Sequence, residues 1–136
     1  MKKIMGLDVG TKTIGIATGQ RQLQFSTPLK VLSRKSVRVD STVLGDLCNQ
    51  LNICEIVVGL PLMLDGTEGR SARLARQIGE ALLKQGFVVH YQDERFSTVD
   101  AQRKLIEAGM SSHKRKKHID AAAAAVILEA WLQASD

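Results

Sequence analysis

Three acidic residues stand where apolar elements end: Asp8 at the close of KIMGLDV, Glu94 just past FVVHY, and Asp120 on the apolar stripe of an alanine-rich helix. Two like charges about 4 Å apart repel by roughly 1 to 4 kcal/mol between the dielectrics of water and a protein surface, so carboxylates gathered in space demand a cation or a shared proton. An all-oxygen donor set selects hard cations, which makes Mg2+ or Mn2+ the expected ion and disfavours zinc. Two such ions about 4 Å apart can activate water and stabilise the leaving oxygen in phosphodiester hydrolysis. Each acid also has a plainer role. Asp8 could close a turn, Glu94 could pair with Arg95 in solvent, and Asp120 could sit in a first helical turn and gain from the helix dipole. Their joint occurrence at the ends of core elements carries the metal-site expectation.

The elements that must position them follow from periodicity. Residues 3–9 and 14–19 read as two strands joined by a short Gly-Thr-Lys turn, and a third strand covers 25–32, with Pro28 suiting an edge. From Asp40 the apolar residues Val43, Leu44, Leu47, Cys48 and Leu51 fall at helical spacing, with Asp40 or Ser41 as the cap. EIVVGLP at 55–61 is a continuous apolar run expected of a strand buried on both faces of a parallel sheet. A helix over 71–85 stopped by Gly86, a strand over 87–91 and a helix from Ser97 to Gly109 follow. The polar stretch 110–118 reads as a loop, and the final helix begins near Ile119. The expected fold class is α/β, a mixed sheet covered by helices.

Strand alternation sets Asp8 on one face with Ile4 and Gly6, and it sets Glu94 with Val88, His90 and Gln92, leaving Asp93 on the other side. Asp120 shares a helix face with Ala123, Ala124, Ile127 and Trp131.

The 136 residues have the length of one domain, read as 1–136, and the longest apolar run, 121–128, is too short to span a bilayer. Without a secretory signal pattern the expected address is cytoplasmic, with no membrane partner. Cys48 and Cys54 lie in apolar patterns, outside any C-x-x-C spacing, and are expected to be two buried thiols. A net charge of +5 suits an anionic partner. Lys114, Arg115, Lys116 and Lys117 form a run that can grip a polyanion, Thr11 and Lys12 in the first turn offer phosphate contacts, and Arg70, Arg73 and Arg76 form a second basic stripe. His113 and His118 read as loop residues or phosphate donors. Aromatic residues at 4% supply backbone recognition better than base stacking.

Four ordered segments, GLDVGTKTIGIA at 6–17, EIVVGLPLMLDGTEG at 55–69, DERFSTVDA at 93–101 and HIDAAAAAVILEAWL at 118–132, resemble the YqgF family, also called RuvX, whose members are described as pre-16S rRNA nucleases and as Holliday junction resolvases. The resemblance spans essentially the whole chain. It implies an RNase H-like fold with a five-stranded sheet, a divalent-metal nuclease site at Asp8, Glu94 and Asp120, and Arg95 beside Thr11 and Lys12 in positioning phosphate. The family's GLP motif usually continues with an asparagine, where this chain has Met63.

The leading expectation is thus a metal-dependent endonuclease acting on structured RNA, the precursor of 16S rRNA. A branched-DNA resolvase is the alternative, and a homodimer with paired sites would favour it over a monomer. From other classes come a noncatalytic RNA-binding module, and an actin-like nucleotide binder suggested by the likeness of residues 6–17 to the phosphate loop of sugar kinases. The latter folds need two lobes, and this length holds one.

Overall fold

The computed structural model describes residues 2–94 and 112–134, with the stretch up to Asp120 described by its backbone alone. Strands β1 (Lys3–Val9), β2 (Thr13–Gln20) and β3 (Phe25–Ser33) form an antiparallel meander, and β4 (Glu55–Leu60) and β5 (Val88–Asp93) add on parallel to β1. The sheet order is β3-β2-β1-β4-β5, the mixed five-stranded sheet that the periodicity and the resemblance predicted together. Pro28 lies in edge strand β3, beside a register shift at Ile16/Ala17, where its missing N–H costs no central ladder bond.

Helices α1 (Val37–Gln50) and α2 (Arg70–Lys84) cover one face of the sheet, and α3 (Ser112–Ala134) covers the other. Alternation along the strands decides which side chains meet which layer. Met5, Leu7, Ile14, Ile16, Ile56 and Val58 pack with Leu44, Cys48, Ile78 and Leu82 in the larger core. Ile4 and Val57 turn the other way, against Ile127, Leu128 and Leu132. Strand β4 thus buries both of its faces, as its unbroken apolar run foretold. Gly6 makes the α3 layer possible, because a Cβ there would lie 2.7 Å from Leu128 Cβ and 3.0 Å from the Ala124 carbonyl oxygen.

Three expectations change. Helix α1 starts at Val37, capped by Ser36, whose side chain accepts from the Val39 N–H at 3.1 Å. Asp40 is instead drawn inward, 1% exposed, by Arg34 at 3.0 Å and the Lys35 N–H at 3.0 Å. Helix α3 begins at Ser112, so the basic run 114–117 is helical and not a loop. Lysine, arginine and alanine are all good helix formers, and a segment needs no apolar stripe to continue a helix that its downstream half anchors. Of the two cysteines only Cys48 is buried, and burial pushes its thiol up to about 12. Cys54 is exposed, because Ile53 beside it takes the inward position ahead of β4. Helix α2 ends as expected, with Gly86 at φ +103 supplying the left-handed turn after its last residues. The helix predicted from Ser97 to Gly109 lies outside the described residues.

Candidate active site

Asp8 is the next-to-last residue of β1, half-buried, and faces the α3 side together with Ile4 and Gly6. The β1–β4 register runs to Leu7↔Val58, and one residue further it sets Asp8 level with Gly59 on the neighbouring strand, about 4.8 Å away. Glu94 follows the last residue of β5, its N–H bonded to the Leu60 carbonyl at 3.2 Å. His90 stacks on Trp131 of α3, which fixes the parity of β5, so Gln92 and Glu94 share its side. The Glu94 side chain lies over bare Gly59 backbone: a Cβ on Gly59 would meet Glu94 Cδ at 2.9 Å and Ile127 Cδ1 at 2.6 Å. Glycine at 59 therefore leaves a cradle that any larger residue would fill. Glu94, only 9% exposed, occupies that cradle with Ile127, and Asp8 stands beside it on the neighbouring strand, on the same face.

Helix α3 runs antiparallel to β1, with Leu132 and Leu128 opposite Gly19, the partner of Ile4, and Leu128 and Ala124 opposite Gly6. Two residues along β1 advance about 6.6 Å and one helical turn about 5.4 Å, so the step from Gly6 to Asp8 matches the step from Ala124 back to Asp120. The Asp120 backbone is thereby placed level with Asp8. It lies eight residues past Ser112, beyond the first turn, where the helix dipole offers a carboxylate little. The Asp120 side chain lies outside the described residues. Among the described residues no three His, Cys, Asp or Glu side chains form a metal cluster, and the strand register sets Asp8 on the strand next to the Gly59 on which Glu94 packs.

Thr11 and Lys12 are exposed at the tip of the β1–β2 hairpin, directly beyond Asp8, with the Gly10 N–H bonded to the Thr13 carbonyl at 2.8 Å. Sequence reasoning missed what shapes this tip. The Arg34 N–H donates to the Lys12 carbonyl at 2.9 Å, and its Nη1 donates to the Gly10 carbonyl at 3.2 Å, while its Nε is held by buried Asp40. The available signal was an acid inside a helical apolar pattern six residues after an arginine, which reads equally well as a cap. Arg70, Arg73 and Arg76 belong to α2, on the opposite layer from the acids, and Arg76 is engaged by Glu68 at 2.6 and 2.7 Å and lies over Tyr91. The second basic stripe does not face the site. Lys114, Arg115, Lys116 and Lys117 lie in the α3 backbone ahead of Asp120, and Arg95 lies outside the described residues.

A family model described as "RuvX: Holliday junction resolvase" matches residues 2–134. A protein of Bartonella quintana named "Putative pre-16S rRNA nuclease" is 43% identical over 132 residues, covering 95% of this chain and 82% of that one. One of the same name from Myxococcus xanthus is 38% identical over 133 residues, covering 97% and 88%. Among solved structures, T. thermophilus RuvC in complex with Holliday junction substrate superposes with a TM-score of 0.56 at 16% identity, covering 99% of this chain and 96% of that one. The fowlpox virus Holliday junction resolvase superposes at 0.61 with 10% identity, covering 98% and 99%. At such identities the superpositions speak to fold alone, and the fold is RNase H-like. By the match across its length, the chain belongs to the RuvX family, also called YqgF.

Proposed function

We propose that residues 1–136 act as one divalent-metal-dependent endonuclease domain that processes the 5′ end of pre-16S rRNA in ribosome biogenesis. The observation that carries this reading is the packing of Glu94 on bare Gly59 backbone, one strand from Asp8, on the face that α3 covers. Asp8, Glu94 and Asp120 would hold the ions, and their oxygen-only donors fit Mg2+ or Mn2+. When bound, such ions supply an activated water and charge neutralisation at the phosphate. The chain's own groups do the rest. Thr11 and Lys12, with Arg95, orient the phosphate beside Asp8, and Lys114–Lys117 hold the flanking backbone. Half-burial of Asp8 and near-complete burial of Glu94 keep bulk water from competing at the acids.

The names of the curated relatives support RNA as substrate. Cleavage of branched DNA is the second reading, favoured by the family's description and by neighbours captured with Holliday junctions, and it would use a homodimer with two sites. A role in ribosomal RNA processing would put the protein in the cytoplasm. Among the described residues no helix is long and apolar enough to cross a membrane.

The deciding experiment compares precursor rRNA, four-way DNA junctions and linear controls as substrates, with wild type and Asp8→Asn in Mg2+ and Mn2+. Cleavage of the precursor by wild type alone is expected. Preferred cutting of junctions would move the assignment to the resolvase. Equal activity of the two proteins would remove the site.

A further inference from the structure

Helices α1 and α2 do not cover the whole of their face of the sheet, and a cavity of about 120 Å3 opens at the uncovered end. Alternation puts Lys3 and Thr18 there, on the side of Met5, and strand pairing brings Gln20 opposite Lys3, Phe25 opposite Gln20 and Thr27 opposite Thr18. Gly19 of β2 and Leu23 in the β2–β3 turn complete the lining. Phe25 is 52% and Leu23 48% exposed, so an aromatic face is presented in a chain with few aromatic residues. Among the described residues, Gln20 Oε1 is the one buried side-chain oxygen or nitrogen that lacks a hydrogen-bond partner. Gln20 lines the cavity, and turning its soft last torsion would bring that acceptor toward the opening. None of the lining residues is acidic, and Lys30, paired with Ile16, adds a second exposed cation on the same face as Lys3.

We propose that this cavity takes one unpaired nucleobase of the nucleic-acid substrate. The ring stacks on Phe25, a base N–H donates to Gln20 Oε1, and Lys3 holds the adjoining phosphate. A flat heteroaromatic ring with its own donors and an attached anion answers every group in the lining, and single-stranded bases are splayed and stacked on aromatic side chains in this manner. Lys3 stands five residues from Asp8 along β1, about 17 Å, and on the other face of the sheet, so the base belongs to a single-stranded flank that leaves the cut and passes round the sheet to the α1/α2 side. The obvious rival occupant is a second copy pairing along β3. Pro28 and the irregularity at Ile16/Ala17 interrupt that edge, and the repeated lysines would face each other.

The proposal rests on the nuclease reading for the identity of its ligand. Binding is measured without divalent metal for wild type, Phe25→Ala, Phe25→Trp and Gln20→Ala, on a duplex with a single-stranded flank and on the same duplex blunt-ended. Phe25→Ala should weaken flanked-substrate binding about 5- to 150-fold, Phe25→Trp should restore it, and neither should alter blunt binding or blunt cutting in Mg2+. Gln20→Ala should weaken the flanked substrate alone, and a 4-thiouridine flank should photocrosslink to the peptide carrying Phe25. Unchanged flank affinity in Phe25→Ala, or equal loss on both substrates, overturns the proposal. Self-association of wild type that Phe25→Ala abolishes, at constant RNA affinity, overturns it in favour of a second copy. A wild type that shows the flank effect and crosslink but cuts nothing in any metal sustains the base pocket and removes the nuclease reading.

Discussion

The α3 face of the sheet carries a glutamate toward each end of β4, and the two have different surroundings. Glu55, at the start of β4, is gripped by Arg21 Nη2 at 2.9 and 3.0 Å and lies 2.6 Å from His90 Nε2. Trp131 roofs the cluster, stacked on His90 at 4.6 Å with the Arg21 guanidinium 4.9 Å from its ring. Burial pushes the Glu55 carboxyl up, but the hydrogen bonds from His90 and Arg21 outweigh it and hold its pKa below the ordinary carboxylate value. Glu94, at the other end, rests against the backbone of Gly59, one strand from Asp8. One acid is ion-paired to Arg21 and bonded to His90, both of which pack on Trp131 in the C-terminal half of α3. The other packs on the glycine backbone, one strand from a further acid, where the proposed ions would bind. Charge near the end of a strand is therefore no mark of function until its neighbours are known.

Breaking the proposed functional end should give the largest effect. Asp8→Asn is expected to lower metal-dependent cleavage by more than the about 10- to 100-fold that loss of an outer-shell partner costs, with melting in EDTA unchanged or raised. Comparable loss of rate in Glu55→Gln would erase the contrast between the two acids. Gly59→Ala comes next. Its Cβ would press on Ile127 and Glu94, costing about 1 to 3 kcal/mol of stability in denaturant unfolding and reducing cleavage more than Asn49→Ala on an exposed site of α1. Neutralising Lys114, Arg115, Lys116 and Lys117 together should make the salt dependence of RNA binding shallower by up to about 3 log units per log unit of salt, measured by titration at several ionic strengths. An unchanged slope would detach that run from the substrate.

Glu55 supplies the smallest and most specific test. Its carboxyl is depressed in the folded state, so the stability from its pairing is present above the ordinary value of 4.5 and is lost as pH falls through the lower folded value. Between about pH 5 and pH 3, wild type should therefore lose more stability than Glu55→Gln, while the two proteins cut RNA equally at neutral pH. Parallel stability curves across that range would deny Glu55 its structural role.

What was legible in the sequence was what is local. The two-residue period of a strand placed Asp8 with Ile4 and Gly6, and Glu94 with His90, because the pleat fixes sidedness without help from the rest of the chain. The helical period likewise assigned Asp120 to the stripe of Ala124 and Ile127, a position whose side chain lies outside the described residues. The Glu55 cluster was not legible, since its bonds join residues 34 and 35 positions apart and no pattern within either segment encodes them. The start of α1 was misplaced because Asp40, a plausible cap, is claimed by Arg34 instead, leaving Ser36 to take the free N–H. The basic run was misread because periodicity detects a buried stripe, whereas helix continuation needs only favourable backbone propensity. The Gly59 cradle lay between these extremes. The glycine was visible, but its meaning depends on β1 and β5 arriving on either side.

The brace behind the first hairpin has a consequence for how tightly a strand can be held. A short polar turn would ordinarily sample many shapes and would have to be frozen by its ligand, which weakens association by about 0.5 to 1.5 kcal/mol for each ordered side chain. Here Arg34, itself clamped by Asp40, stitches both sides of the Gly10–Thr13 turn to the neighbouring layer. A phosphate bound there as proposed would meet a turn already in shape, so that rigidity established during folding would reappear as affinity.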